Sequence, residues 1–264
     1  EMEVTGSKDE PRTEFIYCYG ANTELLKFGS CRLQPGHKNL ILIIPDGSSA
    51  VERDVFGLVG QIEHKLAFLK KHVPRETNLI LIGHSIGCYI ILEMMKKDPE
   101  LKVLRAVMLF PTIERMAQTP QGKVMTPVLC QLRYLGYLPL FLLSLLPDSL
   151  KYSLIKLVLS GIHSLDLSVI RPTVTNAMYM GGQEMKAVLD RDNRTIKENL
   201  DKIIFYYGAK DHWCPVQYYL DMKQDFPHGD IRLCEREFRH AFVLDAGSEV
   251  SKMVAEWIHG DLRT

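Results

Sequence analysis

Residues 78–97 read NLILIGHSIGCYIILEMMKK, and this stretch decides the fold. Its first part, residues 78–82, is an apolar run without alternation, which is typical of a strand buried on both faces of a parallel sheet. A helix is predicted to follow and to run through Lys97. Between the two lies Gly83-His84-Ser85-Ile86-Gly87, which fits the pattern G-x-S-x-G. In this context the pattern predicts a nucleophile elbow rather than a glycine turn without chemistry.

Further apolar runs on both sides of this stretch predict the rest of the sheet. They occupy residues 39–45, 103–110, 202–207 and 231–234, with helical spacing at residues 55–71 and 243–259. Buried strands separated by helices indicate an α/β fold, with a mostly parallel sheet covered by helices on both faces. Near the start, residues 13–18 and 23–27 predict a hairpin joined by Gly20-Ala21-Asn22. We expect residues 1–264 to form a single domain.

One segment interrupts the alternation of strands and helices. Residues 113–199 show no clear strand, and we predict that they form a helical cap or insertion within the domain. Within it, residues 124–146 are rich in leucine and carry one charge, Arg133. The 23 residues are long enough to span a bilayer, but a central charge and the internal prolines Pro127 and Pro139 argue against a simple span. Two interpretations stay open and are compatible: a cap over the active site, and a surface that contacts lipid.

The serine of the elbow needs partners before it can act as a nucleophile. A hydroxyl is weakly nucleophilic without a base, and the base needs a group that orients it. In hydrolases of this kind the acid follows the serine and the histidine comes last, and Asp211 and His240 stand just past the fourth and fifth predicted strands. The alternatives are a turn aspartate and a surface histidine. We also expect the Ile86 N–H to bind an oxyanion and His84 to line the site.

Composition excludes several other classes of protein. The 32 basic and 32 acidic residues give a net charge of zero, which argues against nucleic acid as a partner. The six cysteines are scattered and the first residues are polar, so we expect a reduced, intracellular chain without a secretory signal. His212 and Cys214 lack a third ligand in the sequence, and we therefore predict no metal and no cofactor.

Five stretches carry a resemblance to a known family. They are residues 60–69 (GQIEHKLAFL), 81–87 (LIGHSIG), 109–116 (LFPTIERM), 181–185 (GGQEM) and 230–235 (DIRLCE). In these stretches the chain resembles the lipid droplet-associated hydrolases, a family within the α/β-hydrolase superfamily. The resemblance implies a serine hydrolase of the lipase or esterase type, with Ser85, Asp211 and His240 at the triad positions. It also implies a neutral lipid ester as substrate, with sterol esters as the proposed case.

The same resemblance implies a place in the cell. It points to the lipid droplet surface and the cytosolic face of the endoplasmic reticulum, and it favours residues 124–146 as the part that contacts the lipid monolayer.

The chain departs from the family between residues 45 and 55. Family members have a glycine-rich loop, a helix and a further strand here, whereas this chain has only nine residues, Asp46-Gly47-Ser48-Ser49-Ala50-Val51-Glu52-Arg53-Asp54. Because a βαβ crossover needs at least ten to twelve residues, we predict a shortened form that lacks one βα unit. That loop normally supplies the second oxyanion donor, a role left here to Asp46 or Gly47. We therefore expect weak or absent hydrolysis, and the alternative function is lipid-droplet binding or remodelling.

Overall fold

A parallel sheet forms the centre of the computed structural model, which describes residues 12–28, 39–44, 57–131, 146–147, 150 and 173–263. The strands are β1 (Arg12–Cys18), β2 (Ala21–Lys27), β3 (Asn39–Ile44), β4 (Asn78–His84), β5 (Val103–Leu109), β6 (Ile203–Gly208) and β7 (Asp230–Cys234). The helices are α1 (Leu58–His72), α2 (Ile86–Lys97), α3 (Pro120–Thr126), α4 (Thr173–Ala187), α5 (Asn193–Glu198), α6 (Val216–Asp225) and α7 (Gly247–Ile258).

Strands β3 to β7 form this sheet in sequence order, and every pair is parallel. Side chains of its central strands, among them Ile80, Val107 and Phe205, are fully buried. Such burial explains the continuous apolar runs of the central strands, which are covered on both faces. The outer strand β3 differs, because Ile41 and Ile43 are exposed. The predicted α/β fold is confirmed.

The hairpin lies apart from this sheet. Strands β1 and β2 pair antiparallel and form a two-stranded sheet of their own. Tyr19 and Gly20 connect them with φ angles of 52° and 80°, so the turn is shorter than predicted and starts one residue earlier. Within the described residues β3 is an outer strand of the larger sheet. This separation is the arrangement expected when a strand between the hairpin and β3 is missing.

The described parts of residues 113–199 consist of helices and the turns that connect them, with no strand among them. Besides α3, α4 and α5 they contain a 3₁₀ turn at Met116–Gln118 and a π turn at Pro127–Gln131. The two ends of the segment meet, because Arg115 N–H donates to Leu189 O at 2.6 Å and Met116 N–H to Val188 O at 3.1 Å. These two hydrogen bonds hold the start of the predicted insertion, after β5, against its later part.

The insertion also touches the core through α4. Gln183 Oε1 accepts a hydrogen bond of 2.7 Å from the N–H of Leu58, the first residue of α1. Gly182 packs so closely on Leu129 that an added Cβ would lie 3.0 Å from its carbonyl oxygen. These contacts give Gly182 and Gln183 of the GGQEM stretch a structural role.

Several predicted features lie outside the described residues. They include Gly47 with the rest of the shortened loop, and most of the leucine-rich stretch from residue 132 onward. Among the helices that are described, none is both long and apolar enough to cross a membrane.

Candidate active site

Ser85 stands at the turn between β4 and α2 in a strained backbone conformation. Its φ of 54° and ψ of −123° are rare for a residue with a side chain. A Cβ on Gly83 would lie 2.8 Å from the backbone N of Cys88, and one on Gly87 would overlap the carbonyl oxygen of Ile44. Both flanking residues must therefore be glycine for the strand and helix to approach this closely. The geometry is that of the predicted nucleophile elbow.

The structure brings Ser85, Asp211 and His240 together. His240 Nε2 lies 2.8 Å from Ser85 Oγ, and His240 Nδ1 lies 2.7 Å from Asp211 Oδ2. A carboxylate only accepts hydrogen bonds, so the ring proton belongs on Nδ1, and Nε2 is left to accept from the serine hydroxyl. This order of partners can draw a proton from Ser85.

Asp211 is held from two sides. Its side chain is fully buried, and Oδ1 accepts a hydrogen bond of 2.7 Å from the N–H of Trp213. Oδ2 remains for His240, so both carboxylate oxygens are satisfied. A Cβ on Gly208, at the end of β6, would lie 2.6 Å from the Phe110 ring. This glycine lets the Asp211 loop approach the end of β5.

Aromatic side chains surround His240. The Phe110 ring lies 6.1 Å from its ring at 83°, and the Trp213 ring lies 6.2 Å away. Phe110 follows β5 with a φ of 49°, which carries its ring across the strand ends. Such walls limit the rotation of the imidazole.

A third polar group, Cys214, lies beside the histidine and aspartate. Ligand atoms of Asp211, Cys214 and His240 all lie within 4.8 Å of one another, so the group has the composition of a metal site. However, Cys214 donates its S–H to Phe110 O at 3.1 Å, and burial raises the pKa of its thiol well above the usual value. A neutral thiol is a poor ligand, and the other two residues bind each other. The residues present fit a triad better than a metal, and His212 is not part of the group.

One of the predicted oxyanion donors can be placed. Ile86 is the first residue of α2, directly after Ser85. N–H groups in the first turn of a helix have no acceptor within the helix and carry its partial positive charge, so this position suits an anion. The other candidate, Gly47, lies outside the described residues.

His84 occupies a place that the sequence did not reveal. Its Nε2 lies 2.8 Å from the backbone oxygen of His240, and burial lowers its pKa to about 4. The two histidines are 156 residues apart, so local sequence patterns carry no signal for this contact. The bond from the Trp213 N–H to Asp211 joins residues two apart, and the sequence analysis did not predict it either.

Comparisons with known proteins identify the family. The sequence profile described as lipid-droplet associated hydrolase matches residues 35–243. The chain is 46% identical to the lipid droplet-associated hydrolase of Gallus gallus, with 94% of this chain and 95% of that protein covered. It is 47% identical to that of Homo sapiens (87% and 73% covered) and 34% identical to that of Drosophila melanogaster (78% and 70% covered).

Solved structures show the same fold at low sequence identity. The haloalkane dehalogenase DbeA from Bradyrhizobium elkani superposes with a TM-score of 0.65 at 12% identity, with 95% of this chain and 98% of that chain covered. The epoxide hydrolase VrEH1 from Vigna radiata gives 0.62 at 13% identity, with 96% and 100% covered. These similarities establish the α/β-hydrolase fold and carry no information on substrate.

The match to the Gallus gallus protein also bears on the predicted shortening. It extends over 308 positions, of which this chain of 264 residues fills about 248 with 94% of its length. About 60 positions of that protein therefore have no counterpart here. This number of positions, whose place along the chain the match does not give, would be enough for a βα unit.

Proposed function

Because this chain belongs to the family of lipid droplet-associated hydrolases, we propose that it cleaves carboxylic esters of neutral lipids with Ser85 as nucleophile. Its family makes it a hydrolase. The observation that carries the ester proposal is the chain of hydrogen bonds of 2.8 Å and 2.7 Å from Ser85 through His240 to Asp211. This arrangement activates a serine for attack on an acyl group.

Each residue has a role in the proposed reaction. Ser85 Oγ attacks the ester carbonyl while His240 Nε2 takes its proton, and the same proton then goes to the leaving alcohol. Asp211 holds the imidazole tautomer and stabilises the imidazolium. The Ile86 N–H stabilises the oxyanion. Water, deprotonated by His240, releases the acyl group and restores Ser85, so the residues need no cofactor.

The proposed substrate and place of action are drawn from the family and the sequence. The relatives are described as lipid droplet-associated, which supports a neutral lipid ester at the droplet surface. Within that class of substrate we propose sterol esters. We assign contact with the lipid monolayer to residues 124–146, since the net charge of zero gives no general attraction to anionic headgroups. The endoplasmic reticulum, on its cytosolic face, is the expected second location.

Labelling with a fluorophosphonate probe tests the nucleophile. The folded chain should react at Ser85, and the Ser85→Ala variant should not react. The variant should unfold at the same temperature as the wild type, which shows that the loss is not caused by unfolding. Emulsions of a sterol ester, a triacylglycerol and a short soluble ester, compared at equal enzyme concentration, then rank the substrates. Labelling that persists in Ser85→Ala would contradict the assignment.

A second candidate function is lipid-droplet binding or remodelling with weak or absent hydrolysis. It is favoured by the short stretch of nine residues, 46–54, where the resemblance implies a longer oxyanion loop, and by about 60 positions of a relative that find no match. Loss of one oxyanion donor raises the barrier by about 2.7–4 kcal/mol. A folded wild-type chain that binds droplets but does not label would support this second function.

A further inference from the structure

His240 lies on a loop without regular secondary structure. Residues 235–241, between β7 and the 3₁₀ turn Phe242–Leu244, contain no helix or strand and are mostly exposed. Two backbone hydrogen bonds join residues within the stretch 236–244. Phe238 N–H donates to Arg236 O at 2.8 Å, and Leu244 N–H donates to Ala241 O at 3.0 Å. The position of His240 therefore depends on contacts from elsewhere in the protein.

His84 supplies such a contact. Its Nε2 lies 2.8 Å from the carbonyl oxygen of His240. A carbonyl only accepts, so His84 Nε2 must carry a proton and donate. Burial lowers the pKa of His84 to about 4, so near neutral pH the ring is uncharged and this is its one N–H.

Packing fixes the ring that makes this bond. The Phe242 ring meets the His84 ring edge to face at 4.8 Å, and the Phe110 ring lies at 6.5 Å. These contacts restrict the side chain on two sides. Its backbone belongs to the elbow itself, one residue before Ser85.

We propose that His84 is a positioning residue for the base: it holds the backbone of His240 where the imidazole reaches Ser85. The inference rests on the proposed function, in which His240 is that base. The elbow then carries both the nucleophile and the anchor of its base. The 2.8 Å spacing between Ser85 Oγ and His240 Nε2 is set by a rigid turn rather than by an exposed loop.

Three variants test this role. His84→Phe keeps an aromatic ring but loses the donor, whereas His84→Gln keeps an N–H that can reach the carbonyl. His64→Phe is the matched control, because His64 is also a buried histidine, with its Nε2 2.7 Å from Thr23 Oγ1 in the hairpin, away from the triad.

We expect His84→Phe to lower kcat and the rate of fluorophosphonate labelling about 10–100-fold, with KM unchanged within twofold, since a displacement of 1 Å is enough for such a loss. His84→Gln should recover most of the rate, and folded His64→Phe should react as wild type. A wild-type rate in His84→Phe, or a rate in His84→Gln as low as in His84→Phe, would overturn the proposal.

A measurement without turnover separates this inference from the proposed function. The proton on His240 Nδ1, hydrogen-bonded to Asp211, should give a low-field proton NMR signal in the wild type. We expect the signal to broaden or shift in His84→Phe and to return in His84→Gln. If the wild type fails to label, the proposed function fails, and this signal alone decides the role of His84. An unchanged signal in His84→Phe would refute that role.

Discussion

At the scale of single residues, the site depends on a few positions where alternatives do not fit. Ser85 sits at a φ of 54° because glycines on either side remove the Cβ atoms that would prevent the turn. The strain holds Oγ in one place before any substrate arrives. Asp211 is fixed in the same sense, since the Trp213 N–H occupies one of its oxygens.

Asp211→Asn should nearly abolish ester hydrolysis without unfolding the protein. The amide oxygen of asparagine can keep the hydrogen bond from Trp213 N–H, which turns its NH₂ group toward His240 Nδ1. The imidazole must then accept at Nδ1 and carry its proton on Nε2, where it cannot take the proton of Ser85. We expect a loss of kcat of about 10⁴-fold, as for triads in general.

The measurement is turnover of a soluble ester, with Ser85→Ala as the baseline and thermal unfolding as the control for structure. Activity of Asp211→Asn within tenfold of wild type would mean that Asp211 does not set the tautomer.

The sequence was sufficient to predict Ser85, Asp211 and His240 as candidates, because chain order and strand ends are local features of the pattern. It predicted only that His84 lines the site. The bond from His84 to the His240 carbonyl joins residues 156 apart and involves a backbone atom, for which no residue type is diagnostic. The sequence did not predict a role for Cys214, which folding buries against Phe110 with its S–H donated to the Phe110 carbonyl.

At the scale of elements, close packing at the elbow joins α2 to β3 as well as to β4. The backbone of Gly87 touches the carbonyl of Ile44 at the end of β3. The insertion is tied to the core in a comparable way through Gln183 and the first residue of α1.

Gly87→Ala should destabilise the protein by about 1–3 kcal/mol, because the added methyl group overlaps the Ile44 carbonyl and forces strand and helix apart. Gly247→Ala is the matched control: a Cβ there meets nothing within 4 Å, at the first position of a helix. We expect this control to be neutral or slightly stabilising. Equal unfolding midpoints in urea for both variants would show that the elbow has room for a side chain.

The leucine-rich stretch should decide whether the protein reaches the droplet. Replacing Leu142, Leu143, Leu145 and Leu146 by serine removes apolar surface worth about 1.5–3 kcal/mol for each side chain that enters lipid. We expect the fraction on droplets to fall, while Ser85 labelling in solution persists. The control exchanges Leu189 and Leu220, exposed leucines outside this stretch, for serine. Unchanged droplet association in the first variant would refute contact with lipid by these residues.

Prediction of the elements succeeded where burial dictates the pattern. The five strands of the sheet lie within one or two residues of the apolar runs. The central runs are buried on both faces, whereas Ile41 and Ile43 of the outer strand β3 are exposed. The closing helix begins at Gly247 rather than at residue 243, since Phe242–Leu244 forms a 3₁₀ turn that places Phe242 beside His84. The helix boundary therefore goes with the packing of Phe242 on His84, a tertiary contact that local periodicity does not contain.

At the scale of the whole molecule, the region between β3 and α1 bears on both the sheet and the proposed oxyanion site. The sequence has only nine residues, 46–54, where the resemblance implies a βα unit, and about 60 positions of the Gallus gallus relative find no match along this chain. The hairpin forms a sheet apart from β3, and among the described residues the Ile86 N–H is the candidate oxyanion donor that can be placed. We therefore expect this one segment to affect both the fold and the activity.

Insertion of the family's longer segment between β3 and α1 should therefore raise both activity and stability. A second oxyanion donor is worth about 10²–10³-fold in kcat. The restored strand would pair with the outer edge of β3 and with the hairpin, which should raise the unfolding temperature as well. Turnover of a soluble ester by the two chains measures the first effect, and Ser85→Ala in the restored chain confirms that the gain comes from the same nucleophile. Equal kcat values would mean that this chain already completes its oxyanion site, and the shortened loop around Gly47 would then be the place to look for the second donor.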